Sequence, residues 1–161
     1  MKEHPIFLRP MIMGQALEGR ISKLIIPTND QTTPPYRKND RLWVKESFAR
    51  YEGRIFYRPG FLGPAPQVPF ELEWLQSTRM PRENARIIFE VTADPVVKLL
   101  FTITREEIRG QGIGLPPSPR FTPHEFSELH QEFFDYWDSV HSRKYPAASN
   151  PAVWVFDIRR I

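Results

Sequence analysis

Arginine residues recur in two clusters of this chain, so recognition of phosphates or base edges is the first chemistry to consider. One cluster contains Arg79, Arg82 and Arg86, and the other contains Arg159 and Arg160. A guanidinium group makes bidentate contacts with phosphate and base edges that an ammonium group does not make. The formal net charge of +3 permits such contacts without demanding them. Solvated surface arginines are the competing interpretation, and they are the commoner one for any single cluster.

The other chemically active groups lack the context that catalysis or metal binding requires. Gly110 to Gly114 ends a predicted helix instead of opening one behind a strand, so it does not fit a dinucleotide-binding loop. Glu106 and Glu107 fall in a first helical turn, where acids commonly complement the helix dipole. No serine-nucleophile motif is present. The histidines lack the spacing of a metal site, and the last three are expected on one helix at the solvent edge; they are His4, His124, His130 and His141. The sequence therefore predicts no catalytic residue, no metal and no cofactor.

Length and composition bound the class of protein. The 161 residues include 12 Phe, 5 Tyr and 4 Trp, enough for one domain, residues 1–161, with a packed core. There is no cysteine, so neither disulfides nor thiolate metal sites are available. No stretch reaches the roughly 18 to 20 apolar residues of a membrane helix, and the first residues lack the apolar core of a signal peptide. We therefore expect a cytoplasmic protein that does not enter a membrane.

Four segments are predicted to be strands of one closed or nearly closed barrel: residues 21–26, 42–48, 86–92 and 153–159. In residues 86–92 the side chains of Ile87, Phe89 and Val91 share one face, which is typical of a strand with one buried face. The last segment is apolar on both faces at its start, as in a central or barrel strand. Too few helices separate the strands for a parallel βαβ array. The order favours an α+β fold, a small β-barrel with peripheral helices.

The helices are predicted from their first turns. Pro10 opens a short helix after a strand at residues 6–9, because proline is tolerated in a first helical turn. Capping boxes begin at Thr104 and again at Thr122, so a helix is expected after each of them. The second of these helices, residues 123–141, carries an apolar stripe that docks on the body of the protein; the stripe consists of Phe126, Leu129, Phe133, Trp137 and Val140.

Residues 51–79 differ in character from the segments on either side. Seven prolines and glycines in this segment exclude a long regular element, although a short strand is expected at residues 55–57. Aromatic residues argue against disorder; they include Phe56, Tyr57, Phe61, Phe70 and Trp74. We expect a Pro-rich aromatic loop packed on the barrel. It is either a lid or binding loop, or a variable insertion that only covers core.

Nine short motifs occur along nearly the whole chain in the order found in ASCH domains, and in particular in their phage and prophage members. They are Pro10-Met11, Gly19-Arg20, Asp40 with Leu42-Trp43-Val44 and Glu46, Met80-Pro81-Arg82, Val91-Thr92, Ile103-Thr104, Gly112-Ile113, Trp137-Asp138-Ser139, and Trp154-Val155 with Arg159-Arg160-Ile161. The chain thus resembles the ASCH family, small β-barrels related to the PUA modules that handle RNA bases. The resemblance implies a PUA-like barrel and a nucleic-acid-like ligand.

The chain departs from the family where the resemblance assigns chemistry. In ASCH amidohydrolases that act on acetylated cytidine, a lysine, a threonine and a glutamate carry the reaction. Here the matching positions are Ile21, Leu24 and Gln111. Isoleucine and leucine have no acid–base chemistry, and glutamine takes no proton at neutral pH. Lys23 shares a strand face with the lost lysine but is displaced by two residues, roughly 6.6 Å. The resemblance implies that this hydrolase activity is lost.

The interpretation that follows is a domain that binds RNA, DNA or a nucleotide, including a modified base, without cleaving it. Arg82 and Arg86 would face phosphates, and Gln111 would read a base edge through its donor and acceptor. An internal salt bridge between Arg20 and Glu46 is an open alternative to ligand contacts by those two residues. The candidate contacts are Arg20, Lys23, Lys45, Glu46, Arg82, Arg86 and Gln111.

Two other functions stay open. The first is a hydrolase that acts on a nucleoside amide or on RNA through a rearranged site. The second is a protein-interaction module, such as a phage product that blocks a host defence complex through the aromatic Pro-rich loop. A tight polar cavity holding Gln111 and an arginine favours a small ligand. A long basic groove favours a nucleic-acid strand, and an exposed aromatic patch favours a host protein partner.

Overall fold

The computed structural model describes residues 1–58, 72–115 and 126–161 of the chain. Within these residues the fold is α+β, with a curled mixed sheet that forms a half-barrel and three α-helices. The helices are α1 (Pro10–Leu17), α2 (Arg105–Gly110) and α3 (Phe126–His141). The strands are β1 (Glu3–Phe7), β2 (Lys23–Pro27), β3 (Arg41–Lys45), β4 (Phe48–Tyr51), β5 (Arg54–Tyr57), β6 (Ile88–Val91), β7 (Val96–Leu99) and β8 (Ala152–Arg160).

Six strands form the main sheet, in the order β1-β3-β6-β8-β2, with β7 also paired to β8. β1 and β3 are parallel, and the other pairs of this sheet are antiparallel. β6 and β7 follow one another along one edge of β8, and β2 pairs with its other edge. The long strand β8 is therefore flanked on both edges, which explains why its side chains are apolar on both faces.

The four segments predicted as barrel strands all contribute to this one sheet. The alternation in residues 86–92 is confirmed, because Ile87, Phe89 and Val91 are fully buried. The segment at residues 42–48 is split, since β3 ends at Lys45 and Phe48 begins a separate hairpin. The sequence predicts a closed or nearly closed barrel, and the curled sheet forms a half-barrel, which is consistent with a small barrel-like fold. β7 was not predicted, because four residues after a proline carry too short a pattern.

The hairpin β4–β5 occupies the start of the predicted insertion. Glu52 and Gly53 lie between the two strands with φ of 48° and 72°. Two positive φ values match a type I′ turn, whose twist suits a two-residue hairpin loop. The short strand expected at residues 55–57 is confirmed as part of β5. Residues 59–71, which include Phe61 and Phe70 of the expected aromatic loop, lie outside the described residues.

The predicted first turns of α1 and α2, which both lie within the described residues, are confirmed. Thr104 accepts the N–H of Glu107 at 3.2 Å, and the Glu107 carboxylate accepts the N–H of Thr104 at 2.9 Å, so the capping box of α2 is confirmed. The second box, at Thr122, lies outside the described residues. Along α3 the stripe side chains Leu129, Phe133 and Trp137 are fully buried, whereas Val140 is 38% exposed. The side chain of Phe126, the fifth member of the predicted stripe, lies outside the described residues. The helix therefore docks on the half-barrel as predicted.

His130 does not lie at the solvent edge, so that expectation is wrong. The residue is only 7% exposed, and its Nε2 lies 2.8 Å from the carbonyl oxygen of Ile103. His130 follows the buried stripe residue Leu129. The buried face of α3 therefore extends beyond the apolar stripe to include His130. A buried imidazole is tolerated there because a backbone carbonyl satisfies its ring nitrogen.

Asp40 ties the N-terminal strand to the loop that precedes β3. Its carboxylate accepts the backbone N–H of Lys2 at 2.7 Å and of Arg37 at 3.0 Å, and it lies 3.3 Å from Nε2 of His4. Burial alone raises the pKa of Asp40, but the hydrogen bonds outweigh burial and hold the pKa below its ordinary value. The carboxylate form therefore stabilises this end of the fold.

Replacing Asp40 with alanine should lower the free energy of unfolding at pH 7 by about 1 to 3 kcal/mol, because two backbone donors lose their acceptor. A depressed folded-state pKa adds stability that is present above the unfolded value, near 3.8, and is lost as the pH falls through the folded value. The difference between parent and variant should therefore shrink at pH 3. Urea unfolding at both pH values measures it, with exposed Asp94→Ala as the control. If the difference in the free energy of unfolding between parent and variant is the same at pH 7 and pH 3, the assigned role of the Asp40 carboxylate is wrong.

Candidate ligand-binding site

A small cavity lies between β1 and β2, the two end strands of the half-barrel. It has a volume of about 100 Å³, and residues of α3 complete its wall. Apolar side chains of β1 and β2 line most of it, and its polar groups come from Lys23, Gln111, Tyr136 and His141. A concave apolar surface with a few convergent polar groups is typical of a small-ligand site. The site therefore occupies the place where the barrel does not close.

The turn after α2 brings Gln111 into this cavity. Gly112 has a φ of +93°, and a Cβ there would lie 2.5 Å from Cδ1 of Ile21. Gly110 packs equally closely, since a Cβ there would lie 2.6 Å from Cγ of Lys23. The N–H of Ser22 also donates to the carbonyl oxygen of Gly110 at 2.8 Å. Only glycine fits both positions. The close packing of Gly110 and Gly112 therefore holds Gln111 against the start of β2.

Gln111 is buried with an unsatisfied acceptor. The residue is 5% exposed, and its Oε1 has no hydrogen-bond partner within the described residues. Leaving such an acceptor unpaired costs about 1 to 3 kcal/mol. A ligand that carries an N–H or O–H donor into the cavity would satisfy this oxygen.

The aromatic groups beside Gln111 are uncharged at neutral pH. Burial raises the pKa of the Tyr136 hydroxyl, and this effect outweighs the opposing charge of Arg9 and a hydrogen bond with Gln111. Burial, reinforced by the charge of Arg9, lowers the pKa of His141 below its ordinary 6.5. The cavity is therefore lined by neutral donors and acceptors at this end, which suits an uncharged polar ring better than an anion.

A larger cleft opens beside the cavity, at the carboxyl-terminal ends of β1 and β3. Its volume is about 580 Å³, and Phe7, Leu8, Tyr136 and Val140 line both spaces. The two spaces are therefore neighbours with a shared wall. The cleft volume lies within the roughly 300 to 1,000 Å³ that is usual for ligand pockets in proteins, and the cavity adds a smaller recess beside it.

The cleft carries cations that form no ion pair with the carboxylates in residues 1–58, 72–115 and 126–161. Arg9, Lys45 and Arg58 line it. Nη2 of Arg9 donates to the carbonyl oxygen of Ser139 at 2.9 Å, and Nζ of Lys45 donates to that of Thr78 at 3.0 Å. A carbonyl oxygen orients a cation without neutralising it, so the cleft attracts anions.

Glu46 also lines the cleft, but its charge is engaged by Arg86. The carboxylate accepts Nε of Arg86 at 2.9 Å and Nη2 at 2.7 Å, and its side chain is 4% exposed. The Arg86 guanidinium lies 4.3 Å from the ring centroid of Tyr57, so the hairpin packs on this pair. Glu46 therefore pairs with Arg86 and not with Arg20, which decides the alternative left open by the sequence.

The only charged side chain that the described residues place on the cavity wall is Lys23, which pairs with the carboxylate of Asp157. We call this space the neutral cavity, and the cationic cleft adjoins it. No family model, curated protein or solved structure matches this chain. The contacts themselves therefore carry the functional inference.

Among residues 1–58, 72–115 and 126–161, no group of three or more His, Asp or Glu side chains is placed to hold a metal ion. None of the helices seen in those ranges is long and apolar enough to cross a membrane.

Four of the seven predicted contacts line the two spaces. Lys45 and Glu46 line the cleft, and Lys23 and Gln111 line the cavity. The ammonium group of Lys23 pairs with the carboxylate of Asp157. A fifth predicted residue, Arg86, is linked to the cleft through its ion pair with Glu46.

The other two predicted contacts are not among the residues that line either space. Nη2 of Arg20 lies 2.6 Å from the carboxylate of Glu18. Arg82 makes a bidentate pair with Glu3, with two N···O distances of 2.8 Å. Hydrogen bonding to Arg82 lowers the pKa of Glu3. Phosphate binding by Arg82 stays a prediction, and it would have to compete with this pair.

The three positions that the ASCH resemblance singles out meet in one place. Ile21, Leu24 and Gln111 all line the small cavity. Ile21 and Leu24 are buried members of the hydrophobic core. The apolar wall that they provide carries no group that could attack or protonate a ligand.

Several site residues were missed by sequence reasoning. Arg9 and Arg58 line the cleft, and Tyr136 and His141 line the cavity. Tyr136 precedes Trp137 at the edge of the buried stripe of α3, and a polar aromatic residue at such an edge is the signal that could have been used. Arg9 and Arg58 stand alone between elements, so nothing local distinguished them from surface cations.

Proposed function

We propose that this chain binds a nucleotide unit, either free or within RNA or DNA, and does not hydrolyse it. The base would occupy the neutral cavity, and the phosphate would occupy the cationic cleft. The observation that carries this proposal is the buried Gln111 amide, whose Oε1 has no hydrogen-bond partner in the described part of the chain, in a cavity that shares its wall with a cationic cleft.

A base edge fits the groups at the cavity end. The Gln111 amide offers one acceptor and two donors, and such an amide recognises the edge of a base by paired hydrogen bonds. The Gln111 oxygen, which has no partner among the described residues, requires an N–H donor. The apolar walls of β1 and β2 would contact the faces of the ring. Exocyclic amines and the ring N–H of uracil, thymine or guanine all supply such a donor on an unpaired base, so Gln111 would accept any of the bases.

A phosphate fits the groups at the cleft end. A phosphate monoester carries about 1.5 to 2 negative charges near pH 7. The nearby cations Arg9, Lys45 and Arg58 would supply charge-assisted hydrogen bonds. The ring of Phe7 is 58% exposed and lines the same cleft, so it also offers a face for a sugar or a second base.

The ASCH resemblance supports the same ligand class. The motifs that carry the resemblance imply a nucleic-acid-like ligand, and the residues they single out line the cavity. A modified base and a phage or prophage origin belong to this proposal too. Loss of the family's reactive side chains at Ile21 and Leu24 favours binding over catalysis.

Lys45→Ala should weaken binding of a nucleoside monophosphate about ten- to a hundredfold, because a hydrogen bond to a charged group contributes about 1.5 to 3 kcal/mol. Isothermal titration with AMP, CMP, GMP and UMP measures this loss for each base. Arg159→Ala removes the same charge from an exposed side chain that pairs with Glu90, so it is the matched control. The proposal is wrong if the parent binds no nucleotide, or if both variants lose affinity equally.

A second variant distinguishes phosphate binding in the cleft from phosphate binding by Arg82 on the outer face of β1. Arg82→Ala breaks only the exposed pair with Glu3, and it should leave monophosphate affinity unchanged. A loss of affinity in Arg82→Ala with no loss in Lys45→Ala would move the phosphate contact to the cluster that the sequence first indicated.

A further inference from the structure

A second groove lies at the opposite end of the β1–β3 pair. Its volume is about 460 Å³, and Lys2, Arg37 and Lys38 line it together with Asp40. Met1, His4, Thr33, Pro34 and Pro35 are the other residues that line it. The three cations outnumber the single carboxylate.

The carboxylate does not oppose an anion in this groove. Asp40 is 6% exposed, and its oxygens are taken up by the N–H groups of Lys2 and Arg37 and by His4. Its role is to hold the loop against β1. The side chains of Lys2, Arg37 and Lys38 belong to exposed residues, so the groove presents a net positive charge to solvent.

The two basic grooves are at opposite ends of one strand. β1 and β3 are parallel, so their amino-terminal ends lie together at the second groove and their carboxyl-terminal ends lie together at the first cleft. The five residues of β1 span about 16 Å at 3.3 Å per residue. A single strand of a few nucleotides covers this distance, since single-strand-binding domains contact about 4 to 16 nucleotides.

The surface between the grooves does not repel a polyanion. Glu3 is the only acidic residue of β1, and Arg82 holds its carboxylate in a bidentate pair. Pro5 and Phe7 are also exposed and alternate with the inward residues of β1. This face of the strand therefore combines a neutralised carboxylate, a proline and an aromatic ring.

We propose that single-stranded nucleic acid binds along β1, with one nucleotide in the first cleft and its cavity and with backbone phosphates on Lys2, Arg37 and Lys38. This inference rests on the proposed function and names its partner class. A base that enters the cavity must be unpaired, because a base in a duplex presents only its groove edges. The occupant is therefore a single strand instead of a duplex.

The test compares a nucleoside monophosphate with single strands of 2, 4, 8 and 12 nucleotides, in RNA and DNA arms, against the parent and Arg37→Ala/Lys38→Ala. Affinity of the parent should rise with length. The double variant should bind the monophosphate normally and the longer strands more weakly. Each lost phosphate contact flattens the log–log salt dependence by about 0.7, so two lost contacts change the ratio of parent to variant affinity about sevenfold between 50 and 200 mM salt.

Arg109→Ala/Arg159→Ala is the matched control, because it removes the same charge from two exposed residues outside both grooves. If both double variants lose the same affinity for the longer strands, the loss comes from net charge and not from the second groove, and the inference is overturned. Monophosphate binding with no gain from length would overturn it as well, and would leave the proposed function intact. No monophosphate binding to the parent would overturn the proposed function itself. Tighter binding of a duplex than of its single strands would contradict the assigned partner class.

Discussion

Trp137→Ala is expected to lower the free energy of unfolding by about 3 to 5 kcal/mol, as for other large aromatic residues removed from a core. Trp137 is fully buried, and its Nε1 donates to the carbonyl oxygen of Tyr145 at 2.7 Å. The centroid of its ring lies 4.4 Å from the ring centroid of His141 and 6.2 Å from that of Phe133. Truncation leaves a cavity under α3 and an unpaired carbonyl, so both packing and hydrogen bonding are lost.

The same substitution should disturb the ligand site, because α3 carries Tyr136, Val140 and His141 to the cavity. Tyr136→Phe is the matched comparison on that helix, since it removes one hydroxyl and keeps the ring. It should change nucleotide affinity with a much smaller loss of stability. Urea unfolding followed by tryptophan fluorescence and circular dichroism measures both variants. A loss below about 1 kcal/mol in Trp137→Ala would mean that α3 is not docked as described.

Features that depend on neighbouring residues were predicted well from the sequence. The capping box at Thr104, the alternation in residues 86–92 and the apolar stripe of α3 each arise from local spacing. Such patterns report which face of an element is buried, and the structure confirms the first two and the buried middle of the α3 stripe, at whose end Val140 is exposed. By contrast, β7 is short, and its place is set by pairing with β8 more than fifty residues away.

The site was harder to predict because its electrostatics depend on distant partners. The arginine cluster suggested phosphate contacts, yet Arg82 pairs with Glu3, 79 residues away, and Arg86 pairs with Glu46, 40 residues away. Nothing in the local sequence distinguishes such an arginine from a free one. Arg9 lines the cleft because it lies between β1 and α1. Its position depends on how these elements pack and not on the local sequence.

Gln111 shows the opposite case. Its candidate role came from the ASCH resemblance, and the structure places it in the wall of the cavity, with a side-chain oxygen that none of the described residues hydrogen-bonds. The glycines on either side are explained by close packing on Ile21 and Lys23. The sequence interpretation that this segment is not a phosphate-cradling loop therefore has a physical reason, because the glycines face strand β2.

The unmodified chain is expected to release no acetate from acetylated cytidine above the rate in buffer. General acid–base catalysis contributes about a hundred- to ten-thousandfold, and it needs groups that exchange protons near the ligand. Ile21 and Leu24 supply none in the cavity, and the Gln111 amide takes no proton at neutral pH. Lys23 is the remaining amine there, and its ammonium group is held by the carboxylate of Asp157.

The assay compares the parent with Ile21→Lys/Leu24→Thr/Gln111→Glu and with Lys23→Ala, and acetate release is followed by chromatography. The triple variant restores the residue types that the resemblance associates with hydrolysis, so activity in it alone would show that the cavity still positions a substrate. Circular dichroism checks that this variant is folded, since two of the three positions are buried in the core. The arm that decides the question is the parent itself. Turnover by the parent that disappears in Lys23→Ala would contradict the binding-only proposal and would make Lys23 the reactive group of a rearranged hydrolase site.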